Sequence, residues 1–166
     1  PRLAVQRDLF VFQCCIGCRI SDLFALTKGS IIGDAVEYIP RKTKEGRPIT
    51  VRVPLNNMAR SILARYADHQ GTGLFPLTSQ PKYNHDIKDA FKLAGLTRSV
   101  TILSPLTREP IQKPLNEAVS AHMARKTFVV VLYKQLRDPD LICSLSGHKP
   151  GSKAFASMTF DTRRPA

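Results

Sequence analysis

Residues 117–135 carry the longest helical periodicity in the chain, and they constrain the fold more than any other segment. Apolar side chains recur at Val119, Met123, Phe128, Val129, Val131 and Leu132, a stripe broad enough to lie on a core. Inside that stretch, His122-Met123-Ala124-Arg125-Lys126-Thr127-Phe128 sets an imidazole and a guanidinium three residues apart. On a helix that spacing places both on one face.

The remaining segments supply packing partners for this helix. Residues 5–16 read as a helix packed on several sides, ended by Gly17, with Ser21 capping a second short helix through Leu23, Phe24 and Leu26. Residues 31–39 and 49–53 are β-rich and bracket a polar turn from Pro40 to Pro48. They predict a hairpin with a basic connection formed by Arg41, Lys42, Lys44 and Arg47. Residues 55–67 carry Leu55, Met58, Ile62, Leu63 and Tyr66 near helical spacing. Residues 82–94 do the same with Ile87, Ala90, Phe91 and Leu93, before Gly95. The Thr-, Pro- and Lys-rich stretch 98–117 reads as a ragged second hairpin or loop. Pro139 can open a helix to about Ser146, which Gly147 ends directly before His148; a last helical stub follows at 154–156. The expectation is one domain over residues 1–166, mainly α with a small antiparallel β-sheet (α+β).

Composition narrows the partners. Hydrophobic residues make up 43% of the chain, enough for a core and too many for a disordered segment. No run of about 18 apolar residues predicts a membrane-spanning helix. Lys and Arg number 25 against 13 Asp and Glu, a formal charge of +12 spread along the chain. Such a balance in a folded domain points to a polyanion, most commonly nucleic acid. Cys15 and Cys18 form a CxxC, but no second CxxC or nearby His pair completes a zinc site. With Cys14 and Cys143 they read as buried free thiols of a reducing cytosol. The opening Pro1-Arg2-Leu3 has no initiator Met and reads as a boundary inside a longer protein.

Four residues form a constellation that carries chemistry: Arg19 in Gly17-Cys18-Arg19-Ile20-Ser21-Asp22-Leu23, the pair His122 and Arg125, and His148 in Leu145-Ser146-Gly147-His148. A phosphodiester under attack gains negative charge on its non-bridging oxygens. Planar Arg forks meet that charge with paired hydrogen bonds, and His moves protons near neutral pH. Any one of these residues alone would be an ordinary surface or capping group; the set carries the inference.

The set resembles the tyrosine recombinases, the phage- and transposon-type integrases. The Arg19 segment looks like the first-arginine box of that family, the His122–Phe128 segment like the second box with its HxxR, and Leu145–His148 like the third. The hairpin at 35–54 falls where the family carries a catalytic lysine on a β-turn. Asn84 through Gly95, ending Leu93-Ala94-Gly95-Leu96, is similar to integrases of conjugative transposons. The resemblance covers nearly the whole chain and implies a catalytic domain of that fold, with N-terminal DNA-binding domains outside this sequence. By the same resemblance, Arg19 and Arg125 hold the scissile phosphate, Lys42 protonates the leaving 5′ oxygen with Lys44 as competitor, His122 assists proton transfer and His148 hydrogen-bonds the phosphate. Arg41, Lys44, Arg47, Lys126 and Lys149 are the expected DNA contacts. The implied reaction is site-specific DNA recombination through a 3′-phosphotyrosyl link, needing neither ATP nor metal nor other cofactor. The implied partners are double-stranded DNA and, for the full-length protein, further copies in a tetramer on DNA, in the cytoplasm at the bacterial nucleoid.

One departure matters. The family's nucleophilic Tyr is expected near Ser157 or Met158, with Phe160 the nearest ring, yet the four tyrosines are Tyr38, Tyr66, Tyr83 and Tyr133. The accounts are a nucleophile lost by substitution, a diverged tail that leaves a non-cleaving DNA binder or regulator, and a Tyr supplied from elsewhere. The first is the favoured expectation. An unrelated nucleic-acid-binding module is the remaining class, and the ordered boxes weigh against it.

Overall fold

A computed structural model describes residues 2–43 and 48–159. The expected basic positions Lys44 and Arg47, and the ring at Phe160, lie outside the described residues. The chain runs α1 (Arg2–Ile16), α2 (Ile20–Leu23), β1 (Ile31–Ile32), β2 (Ala35–Tyr38), β3 (Val51–Pro54), α3 (Asn57–Arg65) and α4 (Gln80–Leu93). It continues with β4 (Ser99–Leu103), β5 (Pro110–Pro114), α5 (Leu115–Ala118), α6 (Ala121–Leu136), α7 (Pro139–Ser146) and α8 (Lys153–Thr159).

Helix α1 is the hub of the core. Leu9, Phe12 and Ile16 are wholly buried, and α1 packs against α3, α4 and α6. Burial of each such side chain contributes about 1.5–3 kcal/mol. Phe12 meets Phe75 edge-on and Phe10 meets Phe91 the same way, with centroids 4.9 Å and 5.2 Å apart. The buried Asp8 staples α1 to α3 by accepting from Tyr66 Oη at 2.9 Å and from Arg65 Nη1 at 3.1 Å.

The β-rich segment 31–39 is not one strand. Gly33, at φ +60°, turns the chain so that β1 pairs with β2, and β2 then pairs with β3 in an antiparallel sheet ordered β1-β2-β3. Val36, Val51 and Val53 bury one face of that sheet. The Pro- and Thr-rich stretch is a regular hairpin: β4 and β5 pair from Ser99↔Pro114 to Leu103↔Pro110.

Three local expectations are corrected. Ser21 does not cap α2: the cap position is Arg19, whose backbone is extended, and Ser21 lies inside the helix. The stretch 117–135 is two helices, because Val119 takes an extended backbone after α5 and α6 begins afresh at Ala121. Met58 and Val131 stand 53% and 45% exposed, so the core sides of α3 and α6 are narrower than the apolar pattern predicts. Cys18 and Cys143 are buried, Cys14 and Cys15 only partly, and all four are free thiols. Burial pushes the Cys14 thiol up to about 12 and Cys18 higher still, so neither is a reactive thiolate.

Candidate active site

Gly17 and Phe128 bring the two arginine segments together. Gly17 ends α1 at φ +68°, and a Cβ there would lie 2.1 Å from Phe128 Cδ1. Only glycine satisfies both the left-handed backbone and the ring of α6 pressed against it. The chain turns at Gly17 and delivers Arg19 to the mouth of a cleft of about 240 Å³, lined by Gln13, Arg19, Ile20, Ser21, Ala121, His122 and Arg125. The helical spacing of His122 and Arg125 does place both on this wall.

Arg125 is 2% exposed. Its Nη1 donates to Gly17 O at 2.7 Å, and its Nη2 lies 3.0 Å from His148 Nε2 and 3.3 Å from Nδ1. Burial, then the neighbouring Arg19 charge, pulls its pKa down to about 10, which still leaves a full cation at neutral pH. Arg19 is less enclosed, with 28% of its side chain exposed and Nη1 4.0 Å from Asp22 Oδ2. That nitrogen has no hydrogen-bond partner among the described residues.

His148 arrives by a helix stop. Gly147 caps α7 in the left-handed region, and the His148 amide donates back to Cys143 O at 3.0 Å, the bond that turns the chain over the last helical turn. The third box therefore folds back onto Arg125. Ser146 Oγ donates to Ile142 O at 2.6 Å and lies 2.7 Å from His148 Nδ1. Arg125 Nη2, almost equidistant from the two ring nitrogens, rests against the imidazole, while Nδ1 faces the Ser146 hydroxyl. Burial first, then the charges of Arg125 and Arg19, lower the His148 pKa to about 4. His122 is exposed overall, yet partial desolvation of its ring, then Arg125, Lys126 and Arg19, lower its pKa as well. Both imidazoles are thus neutral at pH 7 beside two cations, with the buried Asp22 carboxylate 4.0 Å from Arg19.

Lys42 sits exposed on a short 3-10 turn, Arg41–Thr43, that follows β2. The turn is tied to the Arg19 segment: the Arg41 amide donates to Asp22 Oδ1 at 2.9 Å. Gly147 packs on the same hairpin, where a Cβ would stand 3.1 Å from Val51 Cγ2 and 3.2 Å from Pro40 Cγ. Arg41 is exposed, Lys126 partly buried on α6, and Lys149 exposed just after His148. The structure thus brings Arg19, His122 and Arg125 to one cleft and sets His148 on Arg125. Lys42 is near in the chain to an anchored residue but does not line the cleft.

Sequence reasoning missed Gln13, Ser146 and the structural use of Asp22. Gln13 and Asp22 are almost wholly buried; a buried Gln inside the apolar run before Gly17 was the readable signal. None of the four tyrosines lines the cleft. Tyr66 and Tyr83 are bonded to Asp8 and Gln13, Tyr133 packs on the core, and the Tyr38 hydroxyl is buried. At the expected nucleophile positions, Ser157 is exposed and donates to Ala154 O at 2.9 Å, and Met158 is 4% exposed. Ligand-type atoms of His85, Asp86 and Asp89 on α4 lie within 4.8 Å of one another. Asp86 Oδ1 is already 3.2 Å from Arg2 Nη2, an ion pair that engages one member of the group. Among the described residues no helix is long and apolar enough to cross a membrane.

The sequence matches the phage integrase family over residues 3–156, and the chain belongs to that family. Lambda integrase, solved as a dimer bound to a COC′ core site, is similar in structure with a TM-score of 0.69 at 15% identity, covering 98% of this chain and 54% of that one. The Tn1549 transposon integrase, solved with circular intermediate DNA, matches at TM-score 0.61 and 17% identity, covering 92% and 52%. The XerH site-specific recombinase, in a post-cleavage complex with difH substrate, matches at 0.60 and 18%, covering 93% and 41%. The chain thus spans about half the length of these structures. No curated protein matches the sequence. The mostly helical fold with small antiparallel sheets is that of the tyrosine recombinase catalytic domain.

Proposed function

We propose that this domain grips a DNA phosphodiester between Arg19 and Arg125, as part of a site-specific recombinase that breaks and rejoins strands. The observation that carries the reading is the convergence on one cleft of a buried cation, Arg125, and Arg19, whose Nη1 pairs with Asp22 at 4.0 Å but makes no hydrogen bond among the described residues. Two cations and the His122 imidazole line the cleft with no carboxylate among the lining residues, an arrangement poised for an anion. Arg125, held by Gly17 and His148, needs no reorganisation to meet charge that grows on the non-bridging oxygens.

In this reading the His148 ring, packed against Arg125 Nη2, keeps that guanidinium aligned, and an arriving phosphate favours protonation of both imidazoles. His122, on the open side, is placed to pass a proton to or from the attacking oxygen. Lys42, on the turn anchored by Asp22, protonates the leaving 5′ oxygen; Arg41, Lys44, Arg47, Lys126 and Lys149 contact the flanking backbone. The chemistry is complete without ATP or a metal, because a phosphotyrosyl ester conserves the energy of the broken bond. The full-length protein works as a homo-oligomer on double-stranded DNA.

The attacking hydroxyl is the missing part. With its four tyrosines outside the cleft, the chain grips DNA without cleaving it, and cleavage needs a Tyr restored or delivered from outside these residues. Incubation with nicked suicide duplexes, scored for a covalent band on a denaturing gel, tests this. The expected result is no band from the chain as it is and a band when Tyr is placed at Ser157, Met158 or Phe160. A covalent adduct on the unaltered chain, mapped to Tyr38, Tyr66, Tyr83 or Tyr133, would overturn it.

A further inference from the structure

Two consecutive residues in the first turns of α4 touch both halves of the cleft without lining it. Tyr83 is wholly buried, and its hydroxyl donates to Gln13 Oε1 at 3.1 Å. Gln13 Nε2 in turn donates to Cys18 O at 3.0 Å, the carbonyl just before Arg19. The Tyr83 proton fixes which way the Gln13 amide faces: reversed, its oxygen would confront the Cys18 carbonyl. Asn84, the next residue, accepts through Oδ1 from the Ala121 amide at 2.9 Å and donates through Nδ2 to Gln80 O at 3.3 Å. Ala121 opens α6 next to His122, and Ser120, at the cap position, makes no side-chain cap bond. Asn84 therefore supplies, from another helix, the cap that α6 lacks locally.

We propose that Tyr83 and Asn84 are positioning residues, with α4 acting as a strut that fixes the Arg19 segment relative to the His122–Arg125 helix. The proposal rests on the reading of the cleft as a phosphodiester site. Side chains one residue apart on a helix project about 100° from each other, so one turn of α4 reaches two elements that are far apart in sequence. The Tyr83 ring also packs edge-on against Phe24, with centroids 5.8 Å apart, a contact that Phe would keep. The hydroxyl is the part devoted to Gln13.

Four variants separate this from ordinary core packing. Tyr83→Phe deletes the hydroxyl alone. Asn84→Ala leaves the Ala121 amide without its acceptor, and Asn84→Asp restores an acceptor at a helix N-terminus that favours negative charge. Tyr66→Phe is the control, removing an equivalent bond to Asp8 between α1 and α3. The readouts are side-chain NMR signals of Arg19 and Arg125 in the free protein, affinity for a short mixed-sequence duplex at low salt, and the thermal midpoint. Tyr83→Phe and Asn84→Ala are expected to shift the guanidinium signals and weaken binding roughly fivefold to tenfold. Asn84→Asp should recover both, and Tyr66→Phe should lower the midpoint without moving either. Guanidinium signals unchanged in Tyr83→Phe and Asn84→Ala, or moved equally by Tyr66→Phe, would overturn the strut. Shifted signals in a protein whose unaltered form binds no duplex would uphold the strut and remove the phosphodiester reading.

Discussion

Arg125 Nη1 donates a 2.7 Å hydrogen bond to the carbonyl oxygen of Gly17 across 108 residues of sequence. This bond joins the second arginine segment to the turn that presents the first, so the two guanidinium groups are not independent. Phe128, one turn further along α6, fills the space beside the same glycine. The ring contact needs a backbone without a Cβ at position 17.

Gly17→Ala is therefore expected to destabilise the domain by about 2–4 kcal/mol, combining left-handed strain with overpacking against Phe128. Urea unfolding of the two proteins measures it. A loss under about 1 kcal/mol would mean that the ring and turn relax more freely than this packing allows.

How much of this was legible in the sequence follows from the same contact. The helical spacing of His122 and Arg125, the Gly17 and Gly147 stops and the Pro139 start are local signals, and the structure has them where the pattern puts them. The break at Val119 and the turn at Gly33 were not legible, because tertiary packing decides whether a locally helical or β-rich run continues. Gln13 and Ser146 escaped notice because each acts through a partner's backbone or ring, Cys18 O and His148 Nδ1, which no spacing rule encodes.

His148 makes stability depend on pH. Its pKa is lowered from 6.5 to about 4 in the folded state, so as pH falls the unfolded chain takes the proton first. The contribution is fully present above about pH 6.5, declines as pH drops through the window to about 4, and is lost below it. The ring is partly solvated, which reduces the expected loss to about 1–2 kcal/mol. His122, lowered in the same direction, adds to it. Urea unfolding between pH 4 and 7, with His148→Ala as comparison, reads this; an equally steep profile in both proteins would assign the effect elsewhere.

Arg125→Ala should raise the His148 pKa toward its ordinary value, because the Arg125 charge is the second cause of its depression after burial. It also leaves Gly17 O without its Arg125 donor, at a cost of about 1–3 kcal/mol. An NMR titration of the imidazole gives the first quantity. A His148 pKa that stays low would show that burial, with the remaining Arg19 and His122 interactions, sets it without Arg125.

Asp22→Ala is expected to release the turn carrying Lys42, since it removes the acceptor for the Arg41 amide at 2.9 Å. Asp22→Asn keeps an acceptor oxygen. Amide exchange at Arg41 should accelerate in the Ala variant and remain slow in the Asn variant; equal exchange in all three proteins would show that the turn is held by other contacts.

In the proposed function Arg19, Arg125 and His148 together hold a phosphodiester. The most direct test of that grip is a titration of the isotopically labelled chain with short duplex DNA, following the side-chain signals of these three residues. The three signals are expected to move together, the His148 pKa to climb from about 4 as the bound phosphate offsets the arginine charges, and the changes to fade with added salt. Signals at Arg19, Arg125 and His148 that stay still while exposed lysines respond to DNA would contradict it.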